Sequence, residues 1–418
     1  MRIAITSDIY HPMTNGVAVF AHNLALGLAE NGHKVMVICP SFNGKKHRVT
    51  KDGVTTVYLK SRRFPFYPDQ ISKVPESKEL FGKKLPRLVY KHGIWYAPYP
   101  YPEVKKALKK FKPDVIHNQT AETIALAVTT YAHKYNVPLV ATGHAYPDNI
   151  TGQFKVLKPI KKPLDAVLRT YMASFLKHSE YATMPTEMAI NDLVPKNRKH
   201  FKVTVEALSN GVDLSAFKPG KASDTIYKKY KIPKDRPIVL YVGRVDPEKS
   251  ISNVVKAFAK VVEKTPKALM VVVGDGTDRQ NLMDLASELG VSGSMMFLGK
   301  VMPPDLMEIY KVGTLFATAS ETETQGIVLI EAAATGLPIV AVDAGAVKEV
   351  CQNNTNGVLC KPGDVEGIAS GIKKILGSKE IQQKYSENSL EIAKMHDLNN
   401  TLGRFEEIYK EAIQIKSL

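Results

Sequence analysis

The sequence predicts an α/β protein with two doubly wound parallel sheets. Short runs of β-branched residues alternate with amphipathic helical stretches along the chain, which is typical of parallel strands connected by helices. A chain of 418 residues is too long for one comfortable core, so two domains of about 200 residues each are expected. Turn-forming residues cluster near 205–220. We therefore predict domains at 1–208 and 209–395, followed by a C-terminal helical segment at 396–418.

The first domain opens with a β-loop-α-β unit. Arg2–Thr6 reads as a strand, Val17–Glu30 as a helix with one apolar face, and Val35–Cys39 as a second strand. This unit is Rossmann-like, and Gly16 in its connecting loop lets the backbone approach a ligand closely, although a glycine here also suits a plain turn. Further strands are predicted at Asp114–His117, Leu139–Thr142 and Tyr181–Pro185.

The second domain restarts the same pattern. Its predicted strands are Pro237–Val242, Ala268–Val273, Ser294–Leu298, Thr314–Ala317, Ile339–Ala341 and Val358–Leu359, and its last predicted helix is Leu402–Ile415. Doubly wound sheets bind ligands at the carboxyl ends of their strands. Arg244 and Lys249 follow such an end, just before a predicted helix, so both side chains are candidates to bind an anion.

Residues 321–331 carry two carboxylates, Glu323 and Glu331, on either side of the turn Thr324-Gln325-Gly326. If Gly326 opens a helix, the backbone N–H groups of 324–327 are unpaired donors at its positive end, as a diphosphate requires. Glu323 then lies in the loop beside the anion, and Glu331 lies slightly more than one turn into the helix. One carboxylate can bind a sugar and the other a ribose.

This Glu-x7-Glu element resembles that of the retaining glycosyltransferases of family 4, which have the GT-B fold. Other motifs of that family follow in the expected order, at His11–Val17, Gly143–Pro147, Asn210–Asp213, Gly243–Ser250 and Val273–Gly276. Each motif alone is weak, but the ordered set is specific and covers nearly the whole chain. The resemblance implies two Rossmann-like domains facing a central cleft. It also implies that the last helix crosses back to the first domain.

The resemblance also implies roles for individual residues. Arg244 and Lys249 would neutralise the donor diphosphate, Glu323 would bind the transferred hexose, and Glu331 would bind the ribose. His144 aligns with the histidine that contacts the donor hexose, although Ala145 and Tyr146 depart from the family pattern that follows it. The predicted catalytic residues are Glu323, His144, Arg244 and Lys249. The predicted donor-binding residues are Gly16, Arg244, Lys249, Lys300, Thr324, Gln325, Gly326 and Glu331.

His117 ends the predicted strand Asp114–His117 and is expected to organise the acceptor pocket.

The sequence contains no Asp-x-Asp triplet, the usual metal-binding motif of transferases that hold the diphosphate through a cation. In GT-B enzymes Arg, Lys and helix N-termini replace that cation. We therefore expect no metal and no cofactor, with the nucleotide sugar acting as a substrate. Retention is expected through a front-side path in which the leaving phosphate takes the acceptor's proton.

The charge of the chain is unevenly distributed. Residues 1–215 carry 31 Lys+Arg against 16 Asp+Glu, whereas residues 216–418 carry 26 against 25. A basic half suggests an anionic partner, with a phospholipid surface, nucleic acid or a polyanionic glycan all eligible, and solubility alone is the plain alternative. Three cysteines without a paired motif, no signal peptide and no apolar run of about 18 residues favour the cytoplasm.

The acceptor is predicted from residues 151–180, which combine basic and apolar side chains in a way that suits an anionic membrane surface. The lysines expected to contact the membrane are Lys155, Lys158, Lys161 and Lys162. An ordinary domain helix is the alternative here, and it is the preferred interpretation for the similar stretch 104–112. The loop Thr322–Gly326 also looks like that of diacylglycerol glucosyltransferases and sulfoquinovosyltransferases.

The favoured function is therefore transfer of a hexose, expected to be glucose, from a UDP-linked donor to a lipid such as diacylglycerol. The enzyme would act as a peripheral protein at the cytoplasmic face of the plasma membrane. A family 4 transferase acting on a soluble sugar, a polysaccharide precursor or a phosphatidylinositol-type acceptor is the alternative. A basic module that binds nucleic acid ranks last, because the basic stretches lack interleaved stacking aromatics.

Overall fold

The computed structural model describes residues 1–13, 15–63, 95–144, 161–194 and 201–418. The chain divides into two compact units, residues 1–137 and residues 138–418. The expected domain boundary at 208/209 stays a prediction.

The described part of unit 1 is an α/β layer structure. Its strands are β1 (Arg2–Thr6), β2 (Lys34–Pro40), β3 (His47–Lys51), β4 (Val54–Leu59), β5 (Arg62–Arg63), β6 (Trp95–Tyr96) and β7 (Val115–Asn118). Its helices are α1 (Gly16–Glu30), α2 (Tyr101–Phe111) and α3 (Thr123–Tyr135). Helix α1 begins where predicted because the Asn15 side chain accepts the Ala18 N–H at 2.9 Å, satisfying one of the unpaired donors of the first turn.

Strand β1 lies between β2 and β7 in the unit 1 sheet. It pairs in parallel with β2 and β7, so that Ile3 lies beside Val35 on one side and Val115 on the other. Strand β4 extends the sheet in parallel to β2, and β3 pairs with β4 in an antiparallel hairpin at the edge. All five residues of β3 are exposed. The β3–β4 hairpin was not predicted, because the charged strand β3 lacks the apolar signal that marks a buried strand.

Unit 2 begins with three parallel strands, β8 (Leu139–Thr142), β9 (Tyr181–Met184) and β10 (Thr204–Ala207), with β9 in the middle. Helices α4 (Lys161–Lys177) and α5 (Glu187–Leu193) belong to this part of the chain. Helix α4 buries Met172, Ala173 and Leu176, whereas Val167 is 64% exposed. The predicted basic stretch 151–180 is thus helical over Lys161–Lys177, and residues 151–160 lie outside the described residues.

The rest of unit 2 is a wholly parallel six-stranded sheet in the order β13-β12-β11-β14-β15-β16. Its strands are β11 (Ile238–Val242), β12 (Leu269–Val273), β13 (Met295–Gly299), β14 (Leu315–Ala317), β15 (Ile339–Val342) and β16 (Gly357–Cys360). The associated helices are α6 (Asp224–Tyr230), α7 (Ile251–Val262), α8 (Arg279–Glu288), α9 (Asp305–Tyr310), α10 (Ile327–Ala334), α11 (Val347–Val350), α12 (Val365–Leu376), α13 (Lys379–Lys394) and α14 (Leu398–Ser417).

Both faces of this sheet are buried, as a parallel sheet between helices requires. Along β11, Ile238 and Leu240 join one apolar cluster, while Val239 and Tyr241 join the cluster on the opposite face. The central strands therefore read as continuous apolar runs, which explains why the sequence located them to within one or two residues. The predicted α/β class with parallel sheets is confirmed.

The last helix, α14, packs on strands β8 and β9 within unit 2. Arg404 of this helix donates two hydrogen bonds to the Glu206 carboxylate, at 2.8 and 2.9 Å, and one to the Tyr181 hydroxyl at 3.1 Å. Lys416 forms an ion pair with Glu180 at 2.5 Å. The hydrogen bond from Arg404 is the main reason that the pKa of Glu206 is lowered. The helix is thus attached through Arg404 to β9 and β10, and through Lys416 to the residue before β9.

Helix α2 buries Val104 and Leu108, so the stretch 104–112 is an ordinary domain helix, as preferred from the sequence. Among the described residues, no helix combines the length and the apolar character that crossing a membrane demands.

We predict that Arg404→Met lowers the free energy of unfolding by about 1–3 kcal/mol, because it removes several charge-assisted hydrogen bonds while keeping the apolar stem. Urea denaturation followed by circular dichroism would measure this loss. Lys394→Met is the matched control, since Lys394 forms an exposed pair with Glu391, and it should cost at most about 0.5 kcal/mol. Equal losses in the two variants would contradict the anchoring role of Arg404.

Candidate functional site

Two loops at the carboxyl ends of β11 and β12 meet backbone to backbone. Gly243 donates to the carbonyl of Val273 at 3.0 Å, and Val245 donates to the carbonyl of Asp275 at 3.1 Å. A Cβ at Gly274 would lie 1.8 Å from the Gly243 oxygen, and one at Gly276 would lie 2.1 Å from the Val245 oxygen. Only glycine fits at these two positions, which explains the motif Val273–Gly276 in physical terms.

Asp246 connects the same two loops and holds Arg244. Its carboxylate accepts the N–H and the hydroxyl of Thr277, each at 3.0 Å, and pairs with the Arg244 guanidinium at 2.5 Å. Arg244 also pairs with Glu248 and remains 40% exposed. The predicted anion-binding arginine is thus oriented by two carboxylates that the sequence interpretation had not assigned to the site.

Lys249 and Glu323 come together across 74 residues of sequence. The Lys249 ammonium donates to the Glu323 carboxylate at 2.8 Å and to the Ser320 hydroxyl at 3.4 Å. The side chains are only 13% and 17% exposed. Burial raises the pKa of Glu323, but the charge and hydrogen bond of Lys249 outweigh burial, so the pKa lies below its ordinary value. Glu323 is therefore an anion at neutral pH.

The loop 321–326, which carries Glu323, is fixed by neighbours on two sides. Ala346 donates its N–H to the Glu323 carbonyl at 3.1 Å, and the Thr186 hydroxyl donates to the Thr324 carbonyl at 3.1 Å. Gly345 allows the first contact, because a Cβ there would lie 2.8 Å from the same carbonyl oxygen. Gln325 is buried, and its side chain bonds to Ser209 and Asn210.

Helix α10 begins directly after this loop. Gly326 has φ of +75° and caps the helix, as the sequence predicted. Within the described parts of the chain, the N–H groups of Gln325, Gly326 and Ile327 donate to no protein acceptor. Unpaired donors at the positive end of a helix, next to Lys249, form a suitable environment for a phosphate.

Glu331 lies in α10 beside a buried tyrosine. The Tyr310 hydroxyl donates to one oxygen of the Glu331 carboxylate at 2.5 Å. Burial raises the pKa of Glu331 to about 7, and this hydrogen bond only partly opposes the rise. Burial also keeps the pKa of Tyr310 well above its ordinary value, so the phenol stays a donor. No sequence signal links the two residues, and Tyr310 was missed.

His144 follows β8 in the same unit and is only partly buried. Desolvation lowers its pKa to about 3, so the imidazole is neutral at physiological pH. A neutral ring can donate and accept hydrogen bonds with sugar hydroxyls, but it does not act as a general acid, which requires the protonated imidazolium.

Lys300 follows β13 and is exposed.

Two predicted site residues, Gly16 and His117, belong to unit 1. Gly16 is the first residue of α1, directly after its cap Asn15. His117 is fully buried in β7, and its Nε2 lies 3.0 Å from the side-chain nitrogen of Gln119. Their roles toward donor and acceptor stay predictions.

Two of the predicted membrane lysines can be located. Lys161 pairs with Asp165 at 2.9 Å, and Lys162 is exposed at the start of α4. Lys155 and Lys158 lie outside the described residues.

Across the described ranges, no group of three or more His, Cys, Asp or Glu side chains could hold a metal ion. The expected independence of a metal or cofactor stays a prediction.

Two family models match the chain. The model "Glycosyltransferase Family 4" matches residues 14–216, and the model "Glycosyl transferases group 1" matches residues 222–391. Together they span most of the sequence.

Relatives with different acceptors resemble the chain at similar, low identity. Alpha-monoglucosyldiacylglycerol synthase of Streptococcus pneumoniae is 26% identical over 350 residues, covering 82% of this chain and 71% of that protein. Sulfoquinovosyl transferase SQD2 of Arabidopsis thaliana is 26% identical over 301 residues, covering 71% of this chain and 56% of that protein. N-acetyl-alpha-D-glucosaminyl L-malate synthase of Bacillus anthracis is 23% identical over 431 residues, covering 99% and 98%.

Solved structures confirm the predicted GT-B fold. Sucrose-phosphate synthase of Thermosynechococcus elongatus superposes with a TM-score of 0.74 at 19% identity, covering 98% of each chain. HepE of Anabaena, in complex with UDP and glucose, superposes with a TM-score of 0.71 at 17% identity, covering 98% of this chain and 99% of that one.

We predict that Glu331→Gln raises stability at pH 8 but not at pH 4.5. With a pKa of about 7, the folded carboxyl keeps a proton that the unfolded chain, at the ordinary value of 4.5, has lost. The stability contributed by Glu331 therefore falls as pH rises from about 4.5 to 7. The neutral amide avoids this loss, which we expect to be about 1–3 kcal/mol at pH 8.

Thermal unfolding of the variant and the parent at both pH values checks this expectation. Glu321→Gln, at an exposed carboxylate nearby, is the control and should not show the same gain. A Glu331→Gln variant that is no more stable than the parent at pH 8 would contradict the raised pKa.

Proposed function

The chain belongs to the GT-B glycosyltransferases of family 4, and from this membership we propose that it is a retaining, metal-independent hexosyltransferase. The proposed reaction moves glucose from UDP-glucose to a lipid acceptor such as diacylglycerol. The observation that carries the donor assignment is the buried Lys249–Glu323 pair beside the unpaired N–H groups at the start of α10. This arrangement offers both positive charge for a diphosphate and an anion for the sugar.

In the proposed mechanism, the donor diphosphate binds the N–H groups of 325–327 and the cations Lys249 and Arg244. These groups stabilise the negative charge that grows as the bond between the anomeric carbon and the phosphate oxygen breaks. Arg244 exchanges part of its pairing with Glu248 for the phosphate. No metal and no cofactor takes part, because the cations and the helix end supply the required positive field.

Glu323 stabilises the positive charge that develops at the anomeric carbon and binds a hexose hydroxyl. The acceptor hydroxyl attacks on the face from which the nucleotide leaves, and a diphosphate oxygen takes the hydroxyl proton. The products are UDP and a glucoside with the original anomeric configuration. Glu331, whose second oxygen is not used by Tyr310, binds the ribose hydroxyls. Neutral His144 contacts the hexose.

Three findings support a lipid acceptor. Relatives named for diacylglycerol glucosylation and sulfoquinovosyl transfer cover 82% and 71% of the chain. The basic excess lies in residues 1–215. Helix α4 exposes Val167 and carries Lys161, Lys162, Arg169 and Lys177 along its length. We therefore propose peripheral attachment to an anionic membrane at the cytoplasmic face of the plasma membrane, with Lys155, Lys158, Lys161 and Lys162 in contact with lipid.

A soluble acceptor is the second candidate. It is supported by the match to N-acetyl-alpha-D-glucosaminyl L-malate synthase, which covers 99% of this chain. Incubating the protein with labelled nucleotide sugars and either extracted lipids or soluble sugars separates the two candidates. Labelled product in the organic phase supports the lipid acceptor, and product confined to water supports the alternative.

We predict that Arg244→Ala, Lys249→Ala and Glu323→Gln each lower turnover by at least about a hundredfold, because each removes charge stabilisation at the reacting donor. Glu331→Ala should mainly weaken UDP binding. Steady-state kinetics measure the turnover, and calorimetry measures the affinity for UDP.

We also predict that activity survives excess EDTA, because no metal holds the diphosphate in the proposed mechanism. Activity lost in EDTA and restored by Mg²⁺ or Mn²⁺ would contradict the metal-independent mechanism.

The Lys249 variant needs a folding control, since it leaves a buried carboxylate without its partner. The double variant Lys249→Met/Glu323→Gln removes both charges and should fold while remaining inactive. Near-parent turnover in folded Lys249→Ala and Glu323→Gln would overturn the donor-site assignment.

We predict that replacing Lys155, Lys158, Lys161 and Lys162 by Gln reduces binding to anionic vesicles without changing the affinity for UDP. Each basic residue near an anionic surface contributes about 1 kcal/mol, so several are needed, and binding should weaken as salt shortens the Debye length from about 10 Å at 0.1 M. Co-sedimentation with anionic and zwitterionic vesicles measures this. Equal binding to both vesicle types, or binding to neither, would favour the soluble acceptor.

A further inference from the structure

The side chain of Gln325 is buried and forms hydrogen bonds within the protein. It is 2% exposed, and both ends of its carboxamide are hydrogen-bonded to the segment that follows β10. Nε2 donates to the Ser209 hydroxyl at 2.6 Å, and Oε1 accepts the Asn210 N–H at 3.3 Å. This engagement leaves only the backbone of Gln325 to contact a donor, although the sequence suggested donor binding for the residue as a whole.

Ser209 is in turn held by the beginning of the last helix. Its hydroxyl lies 2.9 Å from Nδ1 of His396, and its carbonyl accepts the Thr401 hydroxyl at 3.0 Å. The Ser209 oxygen accepts from Nε2 of Gln325 and from the Gly211 N–H, the latter at 3.1 Å. Its own proton is therefore left to donate to Nδ1 of His396, whose pKa is lowered by burial.

The same junction is closely packed. Gly211 has φ of +73°, and a Cβ there would lie 2.7 Å from the Leu398 Cα. Val212 and the 396–398 segment exchange backbone hydrogen bonds at 2.8 and 3.1 Å. Gln325 thus attaches the 321–326 loop to a closely packed segment that is hydrogen-bonded to the start of α14.

Gln325 is two residues from Glu323, in a stretch without regular secondary structure. The position of such a stretch depends on its individual hydrogen bonds. The Glu323 carboxylate must stay within 2.8 Å of Lys249, and a displacement of about 1 Å at a reacting group can cost about a hundredfold in rate. Helix α10 needs no such help, because Leu329 and Ile330 are fully buried in the core.

We propose that Gln325 is a positioning residue for the transfer reaction: by anchoring the loop to Ser209 and Asn210, it keeps the Glu323 carboxylate in place for the donor hexose. This inference rests on the proposed function. It assigns a task to a side chain that would not touch the substrate, and it adds Ser209 as its partner.

The test compares Gln325→Met, which keeps the length of the side chain but removes both hydrogen bonds, with Ser209→Ala, which removes one of them from the other side. We expect turnover to fall about tenfold or more in each, with a smaller loss of UDP affinity, because the N–H groups of Gly326 and Ile327 stay in place with α10. The double variant should be about as slow as Gln325→Met alone, since that change already removes the contact between Gln325 and Ser209.

Thr401→Val is the matched control. It breaks a buried hydrogen bond at the same junction without touching Gln325, so it should lower the melting temperature but leave the turnover of the folded enzyme unchanged. Turnover that falls equally in Thr401→Val and Gln325→Met would show a general structural role and overturn the positioning role. Turnover of Gln325→Met equal to that of the parent would overturn it as well.

Hydrogen–deuterium exchange of peptides covering 321–327 separates this inference from the proposed function. If the parent protein transfers no sugar, the proposed function fails, and exchange alone then decides whether Gln325 holds the loop. Faster exchange in Gln325→Met than in Thr401→Val supports the anchor, and equal exchange in the two variants contradicts it.

Discussion

The ion pair between Lys249 and Glu323 is the interaction around which the candidate site of unit 2 is arranged. Removing an ammonium and a carboxylate from water costs several kcal/mol per ion, and this cost is offset only when the geometry is good and further hydrogen bonds are present. The pair meets both conditions, at 2.8 Å and with Ser320 as an additional partner. Because of this cost, such a buried pair adds little to the free energy of folding. It keeps an anion and a cation in fixed positions, as the proposed binding of a nucleotide sugar requires.

Close backbone packing makes that position possible. The pair joins residues 74 positions apart, so the loops that carry them must approach without intervening side chains. Glycines at 274, 276 and 345 permit contacts that a Cβ would block. Asp246 then connects two of these loops through Thr277 and Arg244. The geometry of the site therefore depends on the lack of a Cβ at these glycines as much as on the charged groups themselves.

The two glutamates of the Glu-x7-Glu element differ in charge state because their surroundings differ. Both are removed from water, which by itself raises the pKa of a carboxyl group. Glu323 has a cation beside it and stays ionised, whereas Glu331 has only the Tyr310 hydroxyl and titrates at about 7. Identical residues thereby suit different tasks. In the proposed mechanism, Glu323 must be an anion next to a developing positive charge, whereas Glu331 can exchange hydrogen bonds with ribose hydroxyls with or without a proton.

The sequence by itself determined the α/β class, the positions of the buried strands of the second sheet along the chain and the helix that begins after Gly326. These features depend on local patterns, namely continuous apolar runs for strands buried on both faces and a glycine where φ is positive. The sequence also pointed to Lys249 and Glu323 as members of one site, through an ordered set of motifs rather than through contact. It did not reveal the β3–β4 hairpin, whose exposed outer strand lacks an apolar signal. Only the tertiary structure decided which groups face each other: Tyr310 against Glu331, Asp246 against Arg244, and Gln325 against Ser209 rather than toward a ligand. Those pairings join residues far apart in the chain, and charge or hydrogen-bonding capacity alone does not specify a partner until the packing of the sheets brings the groups together.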